Sequence, residues 1–144
     1  MDVVAELACP HPPARVWSVV GDLATYPRWL DIVAKAVPSA DGSWQVDLRG
    51  RLGPFARSKR LRMVRAAAEE PALAVFERLE ADNRQHSEWI LRAELAPAGD
   101  GTLLTMRLHY GGSLFGPVLE RVLGDTIEQS RPRLLALLDE SNVG

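Results

Sequence analysis

The sequence predicts an α+β fold in which a curved, seven-stranded antiparallel sheet wraps around one long C-terminal helix. Three observations carry that expectation. Between Ile32 and Tyr110 the chain mostly alternates apolar and polar residues, the period-two pattern of strands with one wet and one buried face. The segments between those runs are short and contain Gly, Pro, Asp and Asn, so successive strands form a meander. From Leu114 to about Leu138 the apolar residues recur instead at helical spacing.

The elements follow in order. Val3, Ala5 and Leu7 alternate with Asp2, Val4 and Glu6, which predicts a first strand over 2–9. Pro10, Pro12 and Pro13 end it and open a helix, because a proline in a first turn lacks only an N–H that would be unpaired anyway. That helix runs through Val20, with Val16, Trp17 and Val20 on one face, and stops at Gly21-Asp22. Thr25 is placed to cap a second short helix carrying Pro27 in its first turn. Ile32–Val37 reads as a short strand, and Asp41-Gly42 as a hairpin turn. Trp44, Val46 and Leu48 alternate along the next strand. A turn with Gly53-Pro54 leads into a longer one over 57–68. Leu73–Glu80, Ser87–Leu95 and Leu104–Tyr110 complete the sheet. In the terminal helix Pro132 removes a backbone bond, so a kink or a new segment is expected there.

Composition narrows the function classes. At 144 residues, one domain spanning 1–144 buries roughly 68–70% of the surface its unfolded chain exposes, enough to fold without a disulfide or metal. The single cysteine, Cys9, excludes an internal disulfide and a cysteine-rich zinc site, and fits a reducing cytoplasm. The N-terminus lacks the basic and apolar regions of a signal peptide, and no apolar run is long enough to span a membrane. A net charge of −2 gives no positive field for nucleic acid. Arg49 to Arg65 holds seven basic residues and no acidic one. Arg60 and Arg62 nevertheless alternate with Leu61 and Met63, as a solvated strand face does.

The order of elements, together with local wording, resembles the helix-grip superfamily of START, Bet v 1 and polyketide cyclase/dehydrase (SRPBCC) proteins. Pro13-Ala14-Arg15-Val16-Trp17-Ser18-Val19-Val20-Gly21-Asp22 resembles that family's opening pattern, and Tyr26-Pro27-Arg28-Trp29 its short-helix motif. Trp89 resembles a frequent aromatic on the sixth strand. The resemblance implies a helix-grip fold with an apolar cavity between sheet and helix, a site type of roughly 300–1,000 Å³. It carries no invariant catalytic motif.

By alternation the wall of such a cavity carries Trp44, Leu48, Leu61, Met63, Val75, Glu77, Trp89, Leu91, Met106, Leu108 and Tyr110. Val46 and Leu79 share that parity. Leu119, Leu123 and Ile127 come from the helix, and Trp29 from the short-helix motif. The same residues also suit an ordinary packed core. Glu77 is the anomaly, because it shares parity with Val75 and Leu79. A buried carboxylate needs a partner, and Lys59 or Arg65 is in reach by parity. A bulge that slips the register turns Glu77 out and brings Ala74 and Phe76 in. Tyr110 is a candidate donor to a ligand carbonyl. Glu77 and Tyr110 are thus the weak catalytic candidates. His86 and His109 fall on the solvent parity, and His11 lies between prolines. No metal and no cofactor is expected. Cys9 has no histidine placed to activate it, so a structural thiol is expected.

Three functions remain: carriage of a small hydrophobic molecule such as a lipid, polyketide or isoprenoid; aromatase/cyclase chemistry on a polyketide; or a protein-interaction module. The thin supply of inward acid and base groups favours carriage. Ligand identity and oligomeric state are not written in the sequence.

Overall fold

The computed structural model describes residues 1–52, 55–112 and 116–140. Its elements run β1 (Asp2–Cys9), α1 (Pro13–Val20), a 3-10 segment (Leu23–Arg28), β2 (Val33–Pro38), β3 (Trp44–Leu52), β4 (Phe55–Glu69), β5 (Leu73–Arg78), β6 (Trp89–Ala98), β7 (Gly101–Tyr110) and α2 (Gly116–Asp139). The seven strands form one antiparallel sheet in the order β1-β7-β6-β5-β4-β3-β2. β2 to β7 is a meander, and β1 closes beside the last strand, with Val3 opposite Leu108 and Leu7 opposite Leu104. The helix-grip expectation holds in strand number, pairing and helix order.

Local chemistry explains the joints. Pro13 opens α1, and Val16, Trp17, Val19 and Val20 are its buried face. Gly21 lies against the Trp17 indole, and a Cβ there would sit 2.8 Å from the Trp17 carbonyl oxygen. The 3-10 segment is capped by Asp22, whose carboxylate accepts from the Ala24 N–H, and not by Thr25. Thr25 instead donates its hydroxyl to the Val19 carbonyl at 2.6 Å, which ties the segment to α1. The cap moves because the segment starts three residues earlier than a Thr25 cap would place it. In the β2–β3 turn Gly42 has φ +86°, which L side chains rarely adopt, and Asp41 accepts from both the N–H and the hydroxyl of Ser43. These bonds, with Arg62 beyond them, hold the Asp41 carboxyl well below the usual carboxylate range.

α2 runs through Pro132 as one helix and no new segment begins there. Pro132 is exposed, so the bond it lacks lies on the wet side, where water serves the freed carbonyl. The C-terminal end of α2 is fastened by Arg15, which donates to the carbonyls of Leu137, Leu138 and Glu140. They lie where α2 runs out of following N–H donors, although the Leu137 carbonyl also accepts from the Glu140 N–H, and a cation suits that end of the dipole. His11 meets Asp139, and Arg28 meets Glu140, at the same corner.

β4 and β5 contain the one large departure from simple alternation. Their register shifts between Arg65 and Ala67, so that Arg65 faces Phe76 while Ala67 faces Val75. Ala74 and Phe76 are fully buried, and Leu79 is 52% exposed. The inward parity of β5 therefore belongs to Ala74, Phe76 and Arg78, and Val75, Glu77 and Leu79 point the other way.

Candidate ligand cavity

A cavity of about 130 Å³ lies between the concave sheet face, the 3-10 segment and α2. β1 supplies Val3, Ala5 and Leu7, and β7 supplies Leu104, Met106 and Leu108. From β6 come Trp89 and Leu91, from β4 Leu61 and Met63, and from β3 Val46 and Leu48. Leu23, Tyr26, Trp29, Leu30, Ile32 and Val33 wall the side next to the 3-10 segment. α2 covers the top with Leu123, Thr126, Ile127, Ser130, Arg131 and Leu134. The polar members other than aromatics are Glu6, Thr126, Ser130 and Arg131, all on the seam between β1 and α2. Arg131 fastens that seam by donating to the Glu6 carbonyl.

The structure brings together ten of the expected wall residues: Trp29, Leu48, Leu61, Met63, Trp89, Leu91, Met106, Leu108, Leu123 and Ile127. Leu119 lies outside the described side chains. Four others lie elsewhere. Trp44 packs edge-on against Phe76, with ring centroids 5.7 Å apart, and does not reach the cavity. Val75 pairs with Ala67 and Arg92 on the outer face. Glu77 pairs with Val64 and Ile90 on the same outer face, because the β4 bulge consumes one residue and flips the parity of β5. Its apolar neighbours misled the reading: both faces of β5 carry apolar residues, so alternation alone does not choose between them. Neither proposed partner serves Glu77. Arg65 donates to the Gly21 carbonyl at 3.2 Å. Lys59 lies near Arg78 and Glu80, and burial with the Arg78 charge lowers its pKa.

Tyr110 is the fourth. It is buried with its ring 4.5 Å from that of Trp89, but its hydroxyl turns back over Gly112. A Cβ at Gly112 would sit 1.9 Å from that oxygen, so Gly112 is what lets the tyrosine fold away from the cavity.

The inward charge on β5 is Arg78, which sequence reasoning passed over. Its side chain is 7% exposed and pairs with Glu80 at 2.8 Å, with a further bond to the Ser87 carbonyl. The His86 ring lies 3.2 Å from the same guanidinium and also meets Asp82. Burial works against the Glu80 carboxylate, but the Arg78 bond and the Arg62 N–H outweigh it and lower its pKa. The signal was present: Arg78 shares parity with Ala74 and Phe76.

Sequence reasoning also missed the breadth of the α2 contribution. The cavity extends past Ile127 to Leu134, beyond Pro132, because the helix is unbroken. The other titratable groups are committed. Tyr26 donates its hydroxyl to the Val20 carbonyl at 2.8 Å, and burial, reinforced by Asp22, pushes its phenol far up. Burial also raises the Cys9 thiol. His109 bonds to Asp2 and Glu88 on the outer face. Arg60 meets Asp47 and Arg62 meets Asp41, so part of the basic β4 face is neutralised within the sheet. Among the described residues no group of three His, Cys, Asp or Glu converges as metal ligands, and no helix is long and apolar enough to cross a membrane.

The family model described as polyketide cyclase / dehydrase and lipid transport matches residues 2–138. No curated protein matches the sequence. Several solved structures share the fold. A conserved protein from Geobacillus kaustophilus is 13% identical with a TM-score of 0.76, over 98% of this chain and 97% of its own. A START superfamily protein from Mycobacterium smegmatis is 17% identical with a TM-score of 0.70, over 96% and 97%. The Bet v 1-type allergen Ara h 8.0201 is 13% identical with a TM-score of 0.62, over 98% and 99%. With the helix-grip architecture and nearly the whole length matched, the chain belongs to the polyketide cyclase / dehydrase and lipid transport family.

Proposed function

We propose that this chain, acting as one domain over 1–144 in the cytoplasm, binds and carries a small hydrophobic molecule in the cavity under α2. The observation that carries this reading is the chemistry of the wall. It is apolar on the sheet side, the 3-10 side and most of the helix side, and its few polar groups lie on one seam. Transfer of apolar surface out of water is then the main driving force for a guest. The volume sets a scale. An apolar cavity of about 150 Å³ takes a benzene-sized guest, and this one is about 130 Å³. A single ring or short branched chain fits as the walls stand. A lipid or polyketide of ordinary size requires the walls to move apart.

The family description also covers cyclases and dehydrases, which supports a second reading as a polyketide-folding enzyme. Such chemistry needs an acid or base within hydrogen-bond reach of the guest. Glu77 and Tyr110 do not line the cavity, so the polar seam would have to supply it.

Native mass spectrometry of the purified protein, followed by solvent extraction, tests carriage. The expected result is a bound apolar molecule whose occupancy is lost in Leu108→Trp, which fills the cavity. A wild-type protein that neither carries such a molecule nor takes up an added single-ring hydrocarbon overturns the reading. Turnover of a poly-β-ketone by the wild type, lost in Arg131→Gln, moves the conclusion to the enzyme.

A further inference from the structure

We propose that the β3–β4 hairpin is a docking arm, which holds the protein on a bilayer surface rich in anionic phospholipid. The docking surface goes beyond the carriage reading and does not depend on it.

The backbone sets the arm apart. β2 accompanies β3 only as far as Leu48, and the Arg49 N–H makes one more bond, to the Ile32 carbonyl. On the other side β5 accompanies β4 from Met63 onward, with one further bond from the Leu79 N–H to the Arg62 carbonyl. β3 and β4 nevertheless go on pairing with each other, from Arg49 opposite Ser58 to Leu52 opposite Phe55. Among the described residues this stretch has no third strand beside it. Its four residue pairs prolong the ribbon by roughly 13 Å at the usual rise of a strand.

The arm also differs in composition. No acidic residue lies between Asp47 and Glu69. Of the seven cations in that interval, Arg60 and Arg62 turn back to Asp47 and Asp41, and Arg65 to the Gly21 carbonyl. The other four, Arg49, Arg51, Arg57 and Lys59, lie along the arm or at its base, and Leu52 and Phe55 form its last described pair. Arg49 and Lys59 are exposed, and neither forms an ion pair among the described residues. The net charge of the whole chain is −2, so everything outside the arm is acidic on balance and is repelled by an anionic surface. Strand parity puts Lys59, Arg57 and the Leu52–Phe55 pair on the concave face, and Arg49 and Arg51 on the convex one. Cations on both faces thus flank an apolar end.

That pattern fits a headgroup layer with hydrocarbon beneath it. Each cation near an anionic leaflet adds about fivefold to partitioning, and apolar residues gain by entering the acyl boundary. A nucleic acid or an acidic protein would use the cations but would leave the apolar pair no hydrocarbon to enter. The arm is also continuous with the cavity wall, because the same two strands carry Val46, Leu48, Leu61 and Met63.

Cosedimentation of the full chain with vesicles tests the proposal. The wild type is expected to bind vesicles of mixed phosphatidylglycerol and phosphatidylcholine, to leave them as salt rises, and to ignore phosphatidylcholine alone. These dependences are read without any variant. Arg51→Gln/Arg57→Gln is expected to weaken binding about tenfold to thirtyfold, and Leu52→Ser/Phe55→Ser about tenfold or more. Arg92→Gln/Arg107→Gln, which removes the same charge from the convex face of β6 and β7, is expected to leave binding unchanged. No binding of the wild type to the anionic vesicles overturns the proposal, as does equal weakening by the β6–β7 substitutions. Binding to soluble poly-glutamate as tight as to the vesicles, with no loss in Leu52→Ser/Phe55→Ser, overturns the bilayer in favour of an acidic protein partner. The arm variants are expected to keep their uptake of a single-ring hydrocarbon, so loss of docking and loss of carriage are read apart.

Discussion

Two leucine pairs on β6 and β7 show how differently one sheet face is used. Leu95 faces Leu104, and four residues along Leu91 faces Leu108, all on the concave side. Leu95 and Leu104 are 4% and 2% exposed, whereas Leu91 and Leu108 are only half-buried. The cause is the cover. α1 follows directly from β1 and lies against β6 and β7, near the end where Thr102 bonds to the His11 carbonyl. At the other end the 3-10 segment and α2 stand over the sheet with the cavity between them and it. Parity places a side chain on a face; the element above decides whether it is packed or hollow.

The largest test of this contrast is Leu95→Ala, at a position outside the cavity wall, against Leu108→Ala. The first should cost about 2–5 kcal/mol, because a tightly packed site relaxes little around the lost atoms. The second should cost less than about 2 kcal/mol, since part of that side chain is already unpacked. Denaturant unfolding of both variants measures the difference, and equal costs would break the contrast. Next in size is Arg15→Ala, which removes three hydrogen bonds to carbonyls at the end of α2 and should cost about 1–2 kcal/mol. Its effect should appear as faster amide exchange in the last turns of α2, with guest affinity at the hollow end unchanged.

Leu108→Trp sharpens the comparison from the opposite side. Extra volume is normally destabilising in a filled core, but here it enters existing space. Its melting temperature should stay close to the wild type's while uptake of a single-ring hydrocarbon is lost. The smallest effect belongs to His109→Gln. Its bond to the Asp2 carboxylate, helped by Glu88, raises the folded-state pKa of the imidazole. The stabilisation is therefore fully present below the ordinary histidine value of about 6.5 and is lost as pH rises through the raised value. Urea midpoints measured from pH 5 to 8 should show the wild type's advantage over His109→Gln shrinking as pH rises.

Much of the fold was legible in the sequence because most strands have a single apolar face. Trp89, Leu91, Ala93 and Leu95 alternate cleanly with Ile90, Arg92 and Glu94, and the structure puts that first set inside. β5 was not legible for the opposite reason. Leu73, Ala74, Val75 and Phe76 are all apolar, so period two gives no phase, and the bulge at Arg65–Ala67 leaves no mark in composition. That ambiguity put Glu77 in the cavity and hid Arg78. Trp44 and Tyr110 failed for a different reason. Both face inward, but one is taken up by Phe76 and the other by Trp89 and Gly112, and such pairings across the fold have no local signature. Trp29 was legible through the Tyr26-Pro27-Arg28-Trp29 motif. Its unpaired N–H was not, because hydrogen-bond satisfaction depends on what lies opposite in space.

The placement of β1 beside β7 has a kinetic side. Asp2 pairs with His109, so one edge of the sheet closes across almost the whole chain, whereas β2 to β7 assemble through neighbouring hairpins. Loop closure over such a span sacrifices far more chain entropy before any contact repays it than a hairpin does. The meander is thus expected to form ahead of β1, with α2 settling onto β1 through Arg131 only afterwards. Before that step the hollow has no wall on the side of Val3, Ala5 and Leu7 and is open to solvent. A guest that binds the finished hollow accordingly stabilises the last-formed contacts of the fold, and its presence should slow the opening of β1 more than that of any hairpin in the meander.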